Sequence, residues 1–184
     1  MDADLPEGGT NTSLNRMVAI TVVSLSVFMG ISKVKDDNLV QAMQQAKADS
    51  VDRWSEYQAV KTKLHIAQTA RLEIALTSRG DQADAALKTL DSEIAKYTKE
   101  APQVQAQAKD QEALYDALNV HDDQFDMSDA LISIAVSLAA VAALVETRWL
   151  LYIAWVAGGF GVIMGLAGFL GWSIHPDFLA KLLS

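Results

Sequence analysis

Apolar residues in this chain gather into three stretches, Leu14 to Val34, Met127 to Val145 and Trp149 to Ile174, and the polar region between the first two keeps a helical spacing throughout. Each stretch is close to the roughly 20 residues that a helix needs to cross a hydrocarbon core, and none holds an ionisable residue in its interior. The pattern predicts an all-α membrane protein with three transmembrane helices and a long antiparallel coiled-coil hairpin between the first and second.

The boundaries follow from the breakers. Residues 1–13 contain Pro6, Gly8 and Gly9 without periodicity and are expected to form a mobile arm, with Asn11 to Ser13 supplying caps for the helix that follows. Residues 14–34 form the first span. The tail before it carries Asp2, Asp4 and Glu7 against Arg16 alone, so it lacks the basic start of a secretory signal and the segment is read as an anchor. No proline occurs between Leu14 and Pro102 and no glycine between Gly30 and Gly80, so the first span is expected to run on into the polar region as one helix. Gly80 is the stop signal, and Asp81 is placed to cap the returning helix. Counted from that turn, Asp36 to Ser78 and Asp81 to Asp126 make arms of roughly 65 Å and roughly 69 Å, which returns the chain to the level it left. The hairpin thus covers 35–126, with spans over 127–145 and 149–174 and an interfacial tail over 175–184.

The returning arm has the strongest periodicity. Leu87, Leu90, Ile94, Tyr97, Ala101, Val104, Ala108, Gln111, Tyr115 and Leu118 follow at alternating steps of three and four, a heptad seam. The outgoing arm keeps a similar step through Leu39, Met43, Ala46, Tyr57, Val60, Leu64, Ala67 and Ile74, interrupted at Ser50, Arg53 and Arg71. Pro102, inside the seam, removes a backbone donor and is expected to kink the helix or split it in two.

Composition narrows the function classes. Between Asp36 and Asp126 alanine and glutamine outnumber leucine, isoleucine and phenylalanine, too few large aliphatics for a globular core but enough for a helical pair. The absence of cysteine excludes disulfides, thiolate catalysis and cysteine-bound metals. A net charge of −8, with basic residues interspersed among acidic ones, argues against a nucleic-acid partner.

Two constellations invite a functional reading. Gly158, Gly161, Gly165 and Gly168 lie at steps of three and four along one face of the third span, where small residues let helix backbones touch; the stripe serves either an oligomer or a tightly packed three-helix bundle. The run from His121 to Asp129 places Asp122, Asp123, Asp126 and Asp129 at the mouth of the second span, with Asp126 as a candidate N-cap. Their carboxylates can pair with Lys33 and Lys35 to form a collar at the membrane interface, the rival being a divalent-cation site built from the same oxygens. Elsewhere the chemistry is thin. His65 and His175 have no second ligand at metal spacing, and Pro176 to Leu183 reads as an interfacial amphipathic tail. Trp149, Tyr152, Trp155 and Trp172 suit interfacial anchoring, and Trp54 suits packing between the arms. Ser24, Ser26, Ser133 and Ser137 are expected to bond backbone or a neighbouring helix rather than to line a path.

With these residues in view the chain resembles a family of bacterial membrane proteins catalogued as domain-of-unknown-function family 4337. The likeness rests on the first span running into Lys33-Val34-Lys35-Asp36-Asp37-Asn38, on Trp54-x-x-Tyr57-Gln58-Ala59, on His121-Asp122-Asp123-Gln124-Phe125, and on the glycine-rich last span after Arg148-Trp149. The resemblance implies the topology and assigns no activity, cofactor or functional residue.

The expected function is non-enzymatic: a homo-oligomeric scaffold or accessory subunit in the bacterial inner membrane, using its hairpin to engage another membrane-associated protein. The alternative is an oligomeric channel, which requires a ring of polar side chains at membrane depth, where only isolated serines and Thr21 occur. Lys33, Lys35, Lys47, Lys109 and Lys181 fall on the hairpin's side, against Arg16 and Arg148 on the other, which predicts a cytoplasmic hairpin and C-terminus and an N-terminus on the opposite side.

Overall fold

A computed structural model describes residues 12–172. Most of the expected N-terminal arm, the tail with His175 and Lys181, and the end of the third apolar stretch therefore lie outside the described residues. Within them the chain has three α-helices and no strand: α1 (Thr12–Thr77), α2 (Asp81–Leu144) and α3 (Arg148–Leu170). All three are long and apolar enough to cross a membrane. The chain divides into two compact units, one made of its two ends, up to Gln41 and from Leu118, and the other of Ala42–Ala117.

The breakers act mostly as anticipated. α1 is a single helix of 66 residues, and its last carbonyls are taken by the Ser78 amide, which bonds Ile74 O at 3.0 Å, and by Arg79 Nη1, which bonds Ala75 O at 2.9 Å. Gly80 turns the chain with φ 97, a left-handed conformation that costs a Cβ-bearing residue but not glycine. Its carbonyl accepts the Asp84 amide at 3.1 Å, so Asp81 is not the cap but the first residue of the helix, where it and Asp84 face the positive end of the dipole. Pro102 does not split α2, which is helical from Asp81 to Leu144. The proline sits on the exposed face, where the carbonyl it leaves without a donor belongs to the exposed Thr98 and is accessible to water.

In unit 2, residues 42–117, the two helices run antiparallel: Lys47 lies over the Tyr115 ring at 5.4 Å, Trp54 Nε1 donates to Glu112 Oε1 at 2.8 Å, and Arg71 pairs with Asp91. The face between them is lined by Met43, Ala46, Ser50, Val60 and Ala67 from α1 and by Ala83, Ala101, Val104 and Ala108 from α2, all buried. Leu87, Leu90, Ile94 and Tyr97 are half-buried on the same face, and Trp54 packs edge-on against Tyr57 with centroids 5.6 Å apart. Arg53 and Arg71 do not interrupt this face. Both are exposed and ion-paired, Arg53 to Glu56 at 2.7 Å, while the neighbouring Trp54 and Ala70 turn inward in their place.

Unit 1 packs the first part of α1, the last part of α2 and α3 around small residues. Ala135, Ala139, Ala142 and Ala154 have no exposed surface, and the last three form one cluster with Leu14, Val18 and Leu151. The glycine face of α3 is occupied by the chain itself. A Cβ at Gly158 would meet Leu25 Cδ1 at 2.9 Å, at Gly161 Ile132 Cγ1 at 2.8 Å, at Gly165 the Phe28 ring at 2.7 Å, and at Gly168 the Phe125 ring at 2.9 Å. Of the two arrangements the stripe allowed, the structure has the intramolecular bundle, and these four glycines are not open to a second copy. Phe125, Phe169 and Phe28 stack edge-on beside them, with centroids 5.2 and 6.4 Å apart.

The outer surface of unit 1 is made of large apolar residues. Ile20, Val23, Val27, Ile31 and Val34 form one exposed stripe of α1, and Tyr152, Val156, Phe160 and Ile163 are exposed on α3. Only 11% of the most apolar window of α1, and 33% of those of α2 and α3, is buried. α2 and α3 are joined by a tight turn in which the Thr147 amide reaches Ala142 O at 3.0 Å and Glu146 adopts φ 52, a strained value for a residue with a side chain. α3 ends at Leu170, capped by Gly171 with φ 67, four residues before Ile174, the limit expected from hydropathy.

Candidate functional site

The charged residues of unit 1 converge where the 32–37 stretch of α1 passes the 122–129 stretch of α2. On α1, Ser32 and Asp36 are one turn apart and both buried, Asp36 at 4% exposure, while Lys33 and Lys35 point outward. On α2, Gln124, Phe125 and Ser128 face inward, and Asp122, Asp123 and Asp129 are half-buried. Gln124 spans the bundle, donating from Nε2 to Trp172 O at the end of α3 at 2.7 Å and facing His121 Nδ1 at 3.1 Å.

The pairing and electrostatics of these residues differ from those expected of a collar. Asp126 caps nothing, because α2 passes through it without a break: there are no free amides and no dipole end at that level to favour a carboxylate. Lys33 closes instead on its own helix, with Nζ 2.7 Å from Asp36 Oδ2 and 3.5 Å from Asp37 Oδ1. Its charge reaches Asp126 and Asp129 only across a longer gap. Asp123 accepts from Asn119 at 3.4 Å, and Lys35 is exposed.

Asp36 is the residue that the sequence reading missed. It looked like the first polar residue of a solvated arm, yet Ser32, Asp36, Leu39, Met43, Ala46 and Ser50 continue one seam at steps of four and three, and all six are buried. Extending the heptad backwards past Leu39 would have found it. Asp36 also sets the electrostatics of the site. Burial, then the charges of Asp126 and Asp36 and a hydrogen bond to Asp36, push the Asp122 carboxyl up to about 6. Partial desolvation, followed by the Asp36 charge, also raises Asp126. Buried oxygens of Ser32, Asp36, Ser128 and Asp129 have no hydrogen-bond partner among the described residues. No group of three or more carboxylate or imidazole side chains there has an arrangement that would hold a metal ion.

Three hydroxyls of the apolar stretches, on Thr21, Ser133 and Ser137, are engaged. Thr21 Oγ1 accepts from Trp155 Nε1 at 2.8 Å, tying α3 to α1, and Ser137 Oγ donates to Ser133 O at 2.8 Å. His65 is exposed on unit 2.

A family model described as domain of unknown function (DUF4337) matches residues 14–171. No curated protein and no solved structure matches the chain.

Proposed function

The chain belongs to the DUF4337 family, and from that premise we propose that it is a non-enzymatic integral membrane protein, a scaffold or accessory subunit whose antiparallel helical pair in 42–117 is a coiled-coil hairpin that engages another protein. The observation that carries the membrane assignment is the arrangement of unit 1, where glycine and alanine lie inside and large apolar side chains face out. Such a surface on a soluble protein would far exceed the few hundred Å² of contiguous apolar patch that monomers tolerate. A lipid bilayer is its natural partner.

The docking role of the hairpin is supported by Val51, Ile66, Leu72, Leu76 and Leu114, large aliphatics left exposed on unit 2 although its own inner face is complete. Their partner is a helix of another membrane-associated protein or of a second copy of this chain. Because the glycine face is occupied, a homo-oligomer would have to form through other surfaces. The membrane is the bacterial inner membrane, with 42–117 in the cytoplasm and the N-terminus on the opposite side, a reading supported by the lysine bias of Lys33, Lys35, Lys47 and Lys109 over Arg16 and Arg148.

A photo-crosslinking residue placed at Leu72 in intact membranes tests the docking role. A discrete adduct with one heterologous protein or with a second copy is expected; no adduct at Leu72, Leu76 or Ile66 sinks it. The chain has no cysteine, so Gly80→Cys reports orientation directly, and labelling by an impermeant reagent in intact cells would reverse the topology.

A further inference from the structure

We infer that Asp36 and Asp122 form a carboxyl–carboxylate pair that binds one proton between α1 and α2 of unit 1, and that this proton fastens the two helices together. Asp122 stands against Asp36, whose charge and hydrogen-bonding reach act on its carboxyl. Two ionised carboxylates have no donor between them, and a hydrogen bond can join them only when one carries a proton. Asp36 is 4% exposed; its Oδ2 takes the Lys33 ammonium at 2.7 Å, and its Oδ1 is buried without a partner. A hydroxyl on Asp122 is the donor this buried carboxylate lacks.

The charge balance points the same way. The groups that face the pair are Lys33 and Asp37 on α1 and Asp123, Asp126 and Asp129 on α2; α3 contributes no titratable side chain here among its described residues, its only ones, Arg148 and Tyr152, lying at its other end. One ammonium stands against Asp36, Asp122, Asp126 and Asp129, and it is already bonded to Asp36 and Asp37. The remaining negative charge is relieved by taking up a proton or a cation. No described group of three or more such side chains is arranged to hold a metal ion, and the buried, unpartnered Asp36 oxygen favours the proton.

The sign of the linkage follows. Asp122 binds its proton more tightly in the folded chain, at about 6, than the free residue does at 3.8. The stabilisation is fully present below the unfolded value and is lost as pH rises through about 6. Above that, two adjacent carboxylates, one of them buried, repel each other where α1 meets α2. The pair is therefore a pH-sensitive latch in unit 1, and it holds whether or not the 42–117 segment docks a partner.

Thermal unfolding of the full chain in detergent between pH 4.5 and 8.5 tests it, comparing the parent with Asp122→Asn, whose amide donates as the protonated acid does. The parent Tm is expected to fall by several degrees as pH rises through about 6, and Asp122→Asn to flatten that fall and melt higher than the parent at pH 8. A variant that melts no higher at pH 8, or that keeps the full fall, overturns the proposal. So does a saturable rise in the parent's Tm at pH 8 with magnesium or calcium that Asp122→Asn abolishes, since the occupant would then be a cation. Should the variant fail to fold, infrared spectroscopy of the parent decides: a protonated-carboxyl band present at pH 5 and titrating away through about 6 is expected, and its absence is fatal.

Discussion

Alanine lines the interior of both halves of this molecule, Ala135, Ala139, Ala142 and Ala154 in unit 1 and Ala46, Ala67, Ala83, Ala101 and Ala108 in unit 2, so both bring helices close by using small side chains. They part company on the outside. Unit 2 surrounds its interior with Lys, Glu, Asp and Gln, whereas unit 1 surrounds its own with Ile, Val, Leu and aromatic residues. In water, unit 2 can gain from burying its seam, because the unfolded arms would expose it. In the bilayer proposed for it, where lipid tails are as apolar as leucine, unit 1 would have no such gain and would rely on packing and on hydrogen bonds such as Trp155 to Thr21. The inner residues therefore record how closely the helices approach, and the outer ones record the medium.

The difference can be broken most severely at the glycine face. Gly161→Leu or Gly165→Leu is expected to cost about 3 kcal/mol or more, read as a collapse of thermal stability in detergent, because backbone at Ser128 O and the Phe28 ring stand where the side chain must go. Gly159→Leu, with nothing within 4 Å of its Cβ, should melt like the parent. Equal melting of all three would mean that close backbone approach is not what holds unit 1. In unit 2 the sensitivity should follow volume: Val60→Ala and Val104→Ala each lose about 1.5 kcal/mol by denaturant titration, from the two methyl groups removed. The exposed Val51→Ala should lie within about 0.5 kcal/mol of the parent. Glu146→Gly relieves the left-handed backbone at the α2–α3 turn and should stabilise unit 1 by about 1 kcal/mol in the same thermal assay. Smallest is Arg71→Ala. Its ion pair with Asp91 is exposed on both sides, and no measurable change in Tm is expected at moderate salt.

Periodicity made the seam of α2 legible: every residue from Leu87 to Leu118 assigned to it is buried or half-buried. It read α1 less well, since Arg53 and Arg71 sit at seam spacing, and a pattern of residue types does not reveal that a long charged side chain swings outward while its neighbour fills the gap. The site was half visible. Asp122, Asp126 and Asp129 stood out as a cluster, but the helix start imagined beneath them does not exist, because hydropathy marks where a medium changes and α2 passes through that point uninterrupted. The buried Asp36 was hidden by its neighbours Lys35, Asp37 and Asn38, which are exposed. The glycine stripe announced close packing without saying against which helix, because a small residue specifies a distance and not a partner.

The glycine and alanine interface of unit 1 also has a calorimetric consequence. Separating these helices in lipid or detergent exposes little large apolar surface that was not already in contact with an apolar medium, and none of it newly to water. The heat-capacity increment for that step should therefore be well below the roughly 12–15 cal/mol/K per residue of a soluble domain. Its stability curve then has little curvature, so the margin should fall almost linearly as the bundle is warmed toward its melting point, without the cool-temperature optimum of a soluble domain.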